Sequence, residues 1–324
     1  MRLLGAALLG LLVYLTLHLG VLRQPLTIGY IRDAYDYKLD YAARLGTERK
    51  IVVVGGSGSL FGVRCQVIAA ETGIPCVNLA VTAGIGIDLI LAKAEAAIAP
   101  GDIVLMPLEY DFYTADAASL RDNATANTYL ATYDQALLLR QGWRRIMAAA
   151  LVLSLEDAYS SAVEMGLDAS GFRRRFTLAQ LTPQGDMTGH SLERAADYAG
   201  YLATLPGAPP TGVAAAGDRE GMRLITAFIA RHRQRGDHVY GSYPATIDDG
   251  SPPPAADFAA VELVWRRAGT GFLAPPDFGR YPRSCFYDTG YHLAEPCQIV
   301  HSRTLARLLL QAEAIADRRA RAAP

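Results

Sequence analysis

The chain carries almost no net charge. Its 31 Lys and Arg residues against 32 Asp and Glu leave −1, and charged residues fill only 19% of 324 positions. A dedicated nucleic-acid binder would show a basic stripe. Here the basic residues are scattered except at Arg173–Arg175 and Arg318–Arg321, which read as solvated helix faces, so nucleic acid is not an expected partner. Cysteine is scarce too. Cys65, Cys76, Cys285 and Cys297 form no C-x-x-C and have no nearby histidine pair, so there is no zinc signature and no metal is expected. The G-K-[ST] of a P-loop is missing. No internal repeat is present, and the length suits one large core, alone or with a sizeable insertion.

What is present begins with an apolar run. Between Arg2 and Arg23 lie LLGAALLGLLVYLTLHLGVL, twenty residues in which His18 is the only readily ionisable side chain. At ~1.5 Å per residue such a helix spans a hydrocarbon core of about 30 Å. The run exceeds the apolar region of a cleaved signal peptide and no A-x-A follows, so residues 1–23 read as an uncleaved signal anchor. Only Arg2 precedes the span, while Arg23, Arg32, Lys38 and Arg44 follow it. A literal positive-inside count would therefore leave the rest of the chain in the cytoplasm.

Residues 24–48 read as a mixed, partly helical neck, and 49–320 as one α/β domain. IVVVGG from Ile51 is a continuous β-branched run of the kind found in buried parallel strands. SLFGVRCQVIAAETG has helical spacing and stops at Gly73; IPCVNLAV is a second strand; IDLILAKAEAAIA is a helix closed by Pro100–Gly101; DIVLMPL is a third strand. This β-α-β-α-β order predicts a three-layer, doubly wound, mainly parallel sheet of flavodoxin-like type. Residues 115–215 break the rhythm and read as a helical and irregular insertion, a candidate lid. The α/β rhythm returns with REGMRLITAFIARHRQRG, HVYGSYPAT, AADFAAVELVWRRAG, GFLAPPDF and CFYDTGYHL, before a last helix from Val300. The sequon Asn123-Ala-Thr125 reads as a coincidence.

The junction VVVGGSGSLFG is the sharpest local feature. Glycines there let the backbone turn tightly and leave the next side chain at the carboxyl rim of the sheet. One use of such a turn is to present a serine nucleophile beside a helix N-terminus, where backbone N–H groups stabilise an oxyanion. The other is to cradle a phosphate. Gly56, Gly58 and Gly62 are spaced one residue too long for the dinucleotide fingerprint. The second strand ends in Asn78-Leu79-Ala80, without the carboxylate that would hold a ribose. A dinucleotide-dependent enzyme is thus the weaker reading, and no cofactor is expected.

Near the C-terminus, Asp288 and His292 lie in a short loop before the last helix. A histidine base needs a carboxylate to orient it and must reach the nucleophile. In a doubly wound sheet the loops after the first and last strands open at the same rim. Ser57 is the expected nucleophile. Ser59, inside the first helical turn, is its rival and reads as a cap. His301, on the terminal helix, is the rival base. Cys285 and Cys297 flank the Asp288–His292 segment, where a disulfide would clamp it in an oxidising compartment. Four reduced thiols, two of them buried as small hydrophobes, are the alternative.

These residues resemble the SGNH (GDSL-like) hydrolases. GGSGSLFG resembles their first block, with Ser57 as nucleophile; NLAVTAGIG resembles the second; FYDTGYHL resembles the last, which supplies Asp288 and His292. The likeness covers about 200 of the 324 residues and leaves out the anchor and the insertion. It is nearest to the envelope-associated branch, similar to alginate acetylation and D-alanyl-lipoteichoic acid type proteins. The resemblance implies a membrane-anchored serine esterase or O-acyltransferase acting on acyl (foremost acetyl) esters of an envelope polysaccharide or on a small ester. It implies a single-pass protein with the domain on the extracytoplasmic, periplasmic side, with a membrane acyltransferase complex as a further partner. Three departures stand out. Asp288 and His292 are four apart where the family has D-x-x-H. Gly84 or Ala80 must serve as the second-block donor. Glu109, in PLEYDFY, stands where the family has an asparagine, and a carboxylate donates to an oxyanion only when protonated. Asn78 is a candidate to compensate, or else a turn residue. The alternative implied by these departures is a non-catalytic SGNH-like envelope protein that binds glycan or assembles with a polymer-modifying membrane complex.

Overall fold

The structure, a computed structural model, describes residues 2–21, 27–151, 177–207, 212–252, 254–275 and 278–322, with Tyr159, Ala162, Val163, Gly166, Leu167 and Ser170. Arg173–Arg175 and the side chains of Arg318–Arg321 lie outside it. Seven strands occur in chain order: β1 (Ile51–Val53), β2 (Cys76–Asn78), β3 (Ile103–Pro107), β4 (His238–Ser242), β5 (Thr246–Asp248), β6 (Gly271–Phe272) and β7 (Arg280–Pro282). Five form one sheet in the order β2-β1-β3-β4-β6, parallel throughout, with Ile51 opposite both Cys76 and Ile103, and Ile103 opposite His238. β5 and β7 pair in a separate parallel ribbon.

Strand alternation divides the core. Ile51, Val53, Ile103, Leu105 and Tyr240 pack with Ile68, Leu305, Ala306 and Leu309, from helices Cys65–Thr72 and Glu295–Ala322. On the opposite face, Trp265 of helix Ala255–Arg267 lies against Gly241. The expected α/β architecture with a mainly parallel sheet is present. The strand order also places the reversal of winding between β1 and β3, the point at which sheets of this kind form a crevice at their carboxyl ends.

Two stretches differ from expectation. The helix read as continuous over 59–73 is two helices, Ser57–Gly62 and Cys65–Thr72. Val63 is extended (φ −116°, ψ 135°), and its carbonyl accepts from Asn78 Nδ2 at 2.9 Å and Gln298 Nε2 at 3.3 Å. The second helix starts afresh on the Asp186 carboxylate, which accepts the Cys65 and Gln66 N–H groups at 2.7 and 2.9 Å. Gln298 and Asp186, two of the three partners at the break, are more than a hundred residues away, so local periodicity could not show it. The neck is the other case. Helix Thr27–Arg44 buries Tyr35, Lys38 and Ala42, so its later part belongs to the core and is no spacer.

The chain forms two compact units: Met1–Ala34 with Ala118–Leu178, and Tyr35–Ala117 with Ala179–Pro324. Residues 179–215, read as insertion, thus fall with the sheet. Within the first unit, Asn123 caps helix Ala124–Tyr133 by accepting from Ala126 N at 2.8 Å, which gives that asparagine a role of its own. Buried Arg145 binds Asn127 Oδ1 at 2.5 Å, and Arg32 sits over the Tyr133 ring at 4.7 Å. Helix Arg2–Val21 exposes Leu3, Leu4, Leu8, Leu9, Leu11 and Leu12. Among the described residues no helix is long and apolar enough to cross a membrane. The side chains of the predicted anchor from residue 17 onward lie outside them.

Candidate active site

After β1 the backbone runs through Gly55 and Gly56 into helix Ser57–Gly62, so Ser57 opens a helix at the crevice. Its hydroxyl has no hydrogen-bond partner among the described residues. Ser59, the rival, is buried and donates to the Pro107 carbonyl at 2.7 Å, tying the turn to the end of β3. Glu109, just past β3, reaches back to the same turn. Its carboxylate accepts the Gly56 N–H at 3.1 Å through Oε2 and the Gly58 N–H at 2.7 Å through Oε1. The glycines permit this approach: a Cβ on Gly56 would stand 2.4 Å from Glu109 Oε1 and 2.7 Å from Ala83 Cα, and one on Gly58 3.0 Å from Oε1. Burial pushes the Glu109 carboxyl up to about 7 and nearby Asp111 adds to the rise, against the pull of the backbone N–H bonds.

Asp288 and His292 stand on a loop closed at its base. The Phe286–Leu293 bridge, the Tyr287 N–H to His292 carbonyl bond at 2.7 Å and the Ala294 N–H to Cys285 carbonyl bond at 2.8 Å draw its ends together. The Cys285–Cys297 disulfide clamps it, with Cα atoms 5.7 Å apart. Folded this way, four-residue spacing brings Asp288 Oδ1 to 2.6 Å from His292 Nδ1, with both residues buried. The imidazole stacks on Phe61, ring centroids 4.1 Å apart and planes 9° from parallel. Phe61 is four residues beyond Ser57 on the same helix, one turn along the same face. The loop also brings Tyr291 close enough to Glu109 and Asp111 for their charges to raise its phenol, mainly already raised by burial.

The remaining expected donors are engaged elsewhere. Asn78 is wholly buried; its Nδ2 donates to Val63 and its Oδ1 accepts the Ala80 N–H at 3.2 Å. It braces the second block from beneath and offers nothing to the crevice. That bond also occupies Ala80, and the Gly84 N–H turns to Thr82 Oγ1 at 3.2 Å, inside its own 3₁₀ turn. His301, the rival base, is buried, meets Tyr281 Oη through Nδ1 at 2.9 Å and stacks on Phe278. Burial lowers it to about 3, a neutral core imidazole. Tyr287 stacks on Phe61 at 6.1 Å and meets Tyr198 edge-on at 5.3 Å, so aromatic packing accounts for it.

Sequence reasoning missed several residues that hold this region. Lys38 is fully buried, its ammonium donating to the Ala80 carbonyl; burial lowers it to about 7 although Asp186 attracts its charge. Asp186 itself is buried and raised by desolvation. His190 meets Phe61 edge-on at 5.0 Å, and burial lowers it to about 4. Asp186 lies in a segment with no periodicity to mark it, and Lys38 is a charged residue on the otherwise apolar buried face of helix Thr27–Arg44. The Cys65–Cys76 disulfide, Cα atoms 5.0 Å apart, was also not foreseen; it joins the second helix to β2. Among the described residues no cluster of His, Cys, Asp and Glu could hold a metal ion. No family model, curated protein or solved structure matches the chain.

Proposed function

We propose that the protein is a membrane-anchored serine ester hydrolase or O-acyltransferase of SGNH type, acting on acyl, foremost acetyl, esters of an envelope polysaccharide. The observation that carries this reading is the Asp288–His292 hydrogen bond beside the Ser57 helix. Asp288 accepts from Nδ1 and so leaves Nε2 to take the Ser57 proton. The Ser57 oxygen attacks the acyl carbonyl carbon. The leaving alcohol collects the proton from Nε2 as its bond to carbon breaks, and water or a sugar hydroxyl then takes the acyl group by the same steps. The Ser57 N–H, first in its helix, would be a backbone donor to the developing oxyanion. Two disulfides favour an oxidising, extracytoplasmic location. The exposed leucines of helix Arg2–Val21 favour an anchor. A fluorophosphonate probe tests the nucleophile: label should appear on the wild type and vanish in Ser57→Ala, and persistent label rejects the assignment.

One observation favours a second reading, a non-catalytic SGNH-like envelope protein that binds glycan or assembles with a membrane complex. The Glu109 carboxyl already occupies the N–H groups on either side of Ser57. Ser57-dependent turnover of a generic acetyl ester excludes that reading; a stable co-purifying partner without turnover supports it.

A further inference from the structure

Glu109 is a buried carboxyl with no cation paired to it among the described residues, pressed against the backbone on both sides of Ser57. Attack by Ser57 would create negative charge within reach of that carboxyl. Were Glu109 ionised, the new charge would meet a like charge in a desolvated crevice, where repulsion is poorly screened. Were it protonated, the same group would offer an O–H donor. The backbone supplies little else, because the Gly56, Gly58, Ala80 and Gly84 N–H groups are all engaged.

We propose that protonated Glu109 is the side-chain hydrogen-bond donor that stabilises the oxyanion formed at Ser57. This rests on the ester-transfer reading above and specifies its chemistry. The carboxyl keeps an acceptor on the Gly58 N–H, so one group both positions the turn and supplies the donor. The groups facing it define its titration: Asp111 and Tyr113 from helix Asp111–Thr114, Tyr291 from the catalytic loop, and uncharged backbone from the Ser57 helix and Ala83. None contributes a positive charge, and the carboxyl sits at about 7. The oxyanion donor is therefore present below that pH and lost above it.

The test is the pH profile of kcat/KM for an acetyl ester, measured on the full chain as wild type, Glu109→Gln and Glu109→Met. Wild-type turnover should depend on Ser57 and fall about tenfold per pH unit above about 7. Glu109→Gln, whose amide donates at every pH, should lose that fall and keep turnover at low pH. Glu109→Met should lose on the order of a hundredfold throughout. The inference is overturned by a Glu109→Gln profile matching wild type, or by full activity in Glu109→Met. A wild-type profile that is flat across neutrality overturns it without any variant. Failure of the underlying reading looks different: no Ser57-dependent turnover in any of the three proteins at any pH, which removes both.

Discussion

The His292 imidazole lies flat on the Phe61 ring, centroids 4.1 Å apart, while its Nδ1 meets Asp288 Oδ1 at 2.6 Å. One contact sets the plane of the ring and the other its rotation within that plane. The imidazole is thus held by an aromatic of the Ser57 helix and a carboxylate of its own loop. Both constraints must be intact for a proton to pass to and from Ser57 in the proposed reaction.

Asp288→Asn replaces a carboxylate that can only accept with an uncharged amide that can also donate, so the His292 tautomer is no longer fixed while the loop stays in place. Fluorophosphonate labelling of Ser57 should slow by about 10²- to 10⁴-fold, with little change in thermal stability. Unchanged labelling would exclude Asp288 from the role given to it.

The Cys285–Cys297 disulfide closes a short loop, with a sequence separation of 12. Chain-entropy reasoning gives about 3 kcal/mol for a loop of that size. Replacing both cysteines by serine should lower the denaturant midpoint accordingly. It should reduce Ser57 labelling more than the same change at Cys65 and Cys76, since only the former pair brackets Asp288 and His292. Equal effects would remove the idea of a catalytic clamp.

Lys38 links stability to pH. Burial lowers its folded pKa to about 7, below the roughly 10.4 of an unfolded lysine. Between those values the unfolded chain binds more protons than the folded one, so stability rises with pH. Relative to Lys38→Met, the wild type should gain on the order of 1 kcal/mol per pH unit from neutrality toward pH ~10. Parallel stability curves for the two proteins would place the Lys38 ammonium in a solvated position.

Gly56→Ala would set a methyl 2.4 Å from Glu109 Oε1 and 2.7 Å from Ala83 Cα. Overpacking of this kind costs about 1–3 kcal/mol, and here the shift it forces falls on the Ser57 turn. Ser57 labelling should drop sharply. Gly62→Ala, at the other end of the same helix, has nothing within 4 Å of the added carbon and serves as the control, with labelling unchanged. If both variants label alike, the turn does not depend on the Glu109 contact.

The order of residues determined by itself the strands Ile51–Val53, Cys76–Asn78 and Ile103–Pro107, because short, mainly apolar runs bounded by glycines and helical segments suit buried parallel strands. It also marked the Gly-Gly-Ser turn and the Asp288–His292 segment, since turn chemistry and residue type are local. Tertiary structure decided the rest. The break at Val63 depends on Asn78, from the next strand, and on Gln298 and Asp186, both more than a hundred residues away in the chain. Asn78 and Gly84 were plausible donors until folding engaged their hydrogen bonds elsewhere. The four-residue spacing of Asp288 and His292 became a hydrogen bond only once a bridge and a disulfide bent their loop. Hydrogen-bond partners and desolvation are set by what packs alongside a residue, and that is absent from any local pattern.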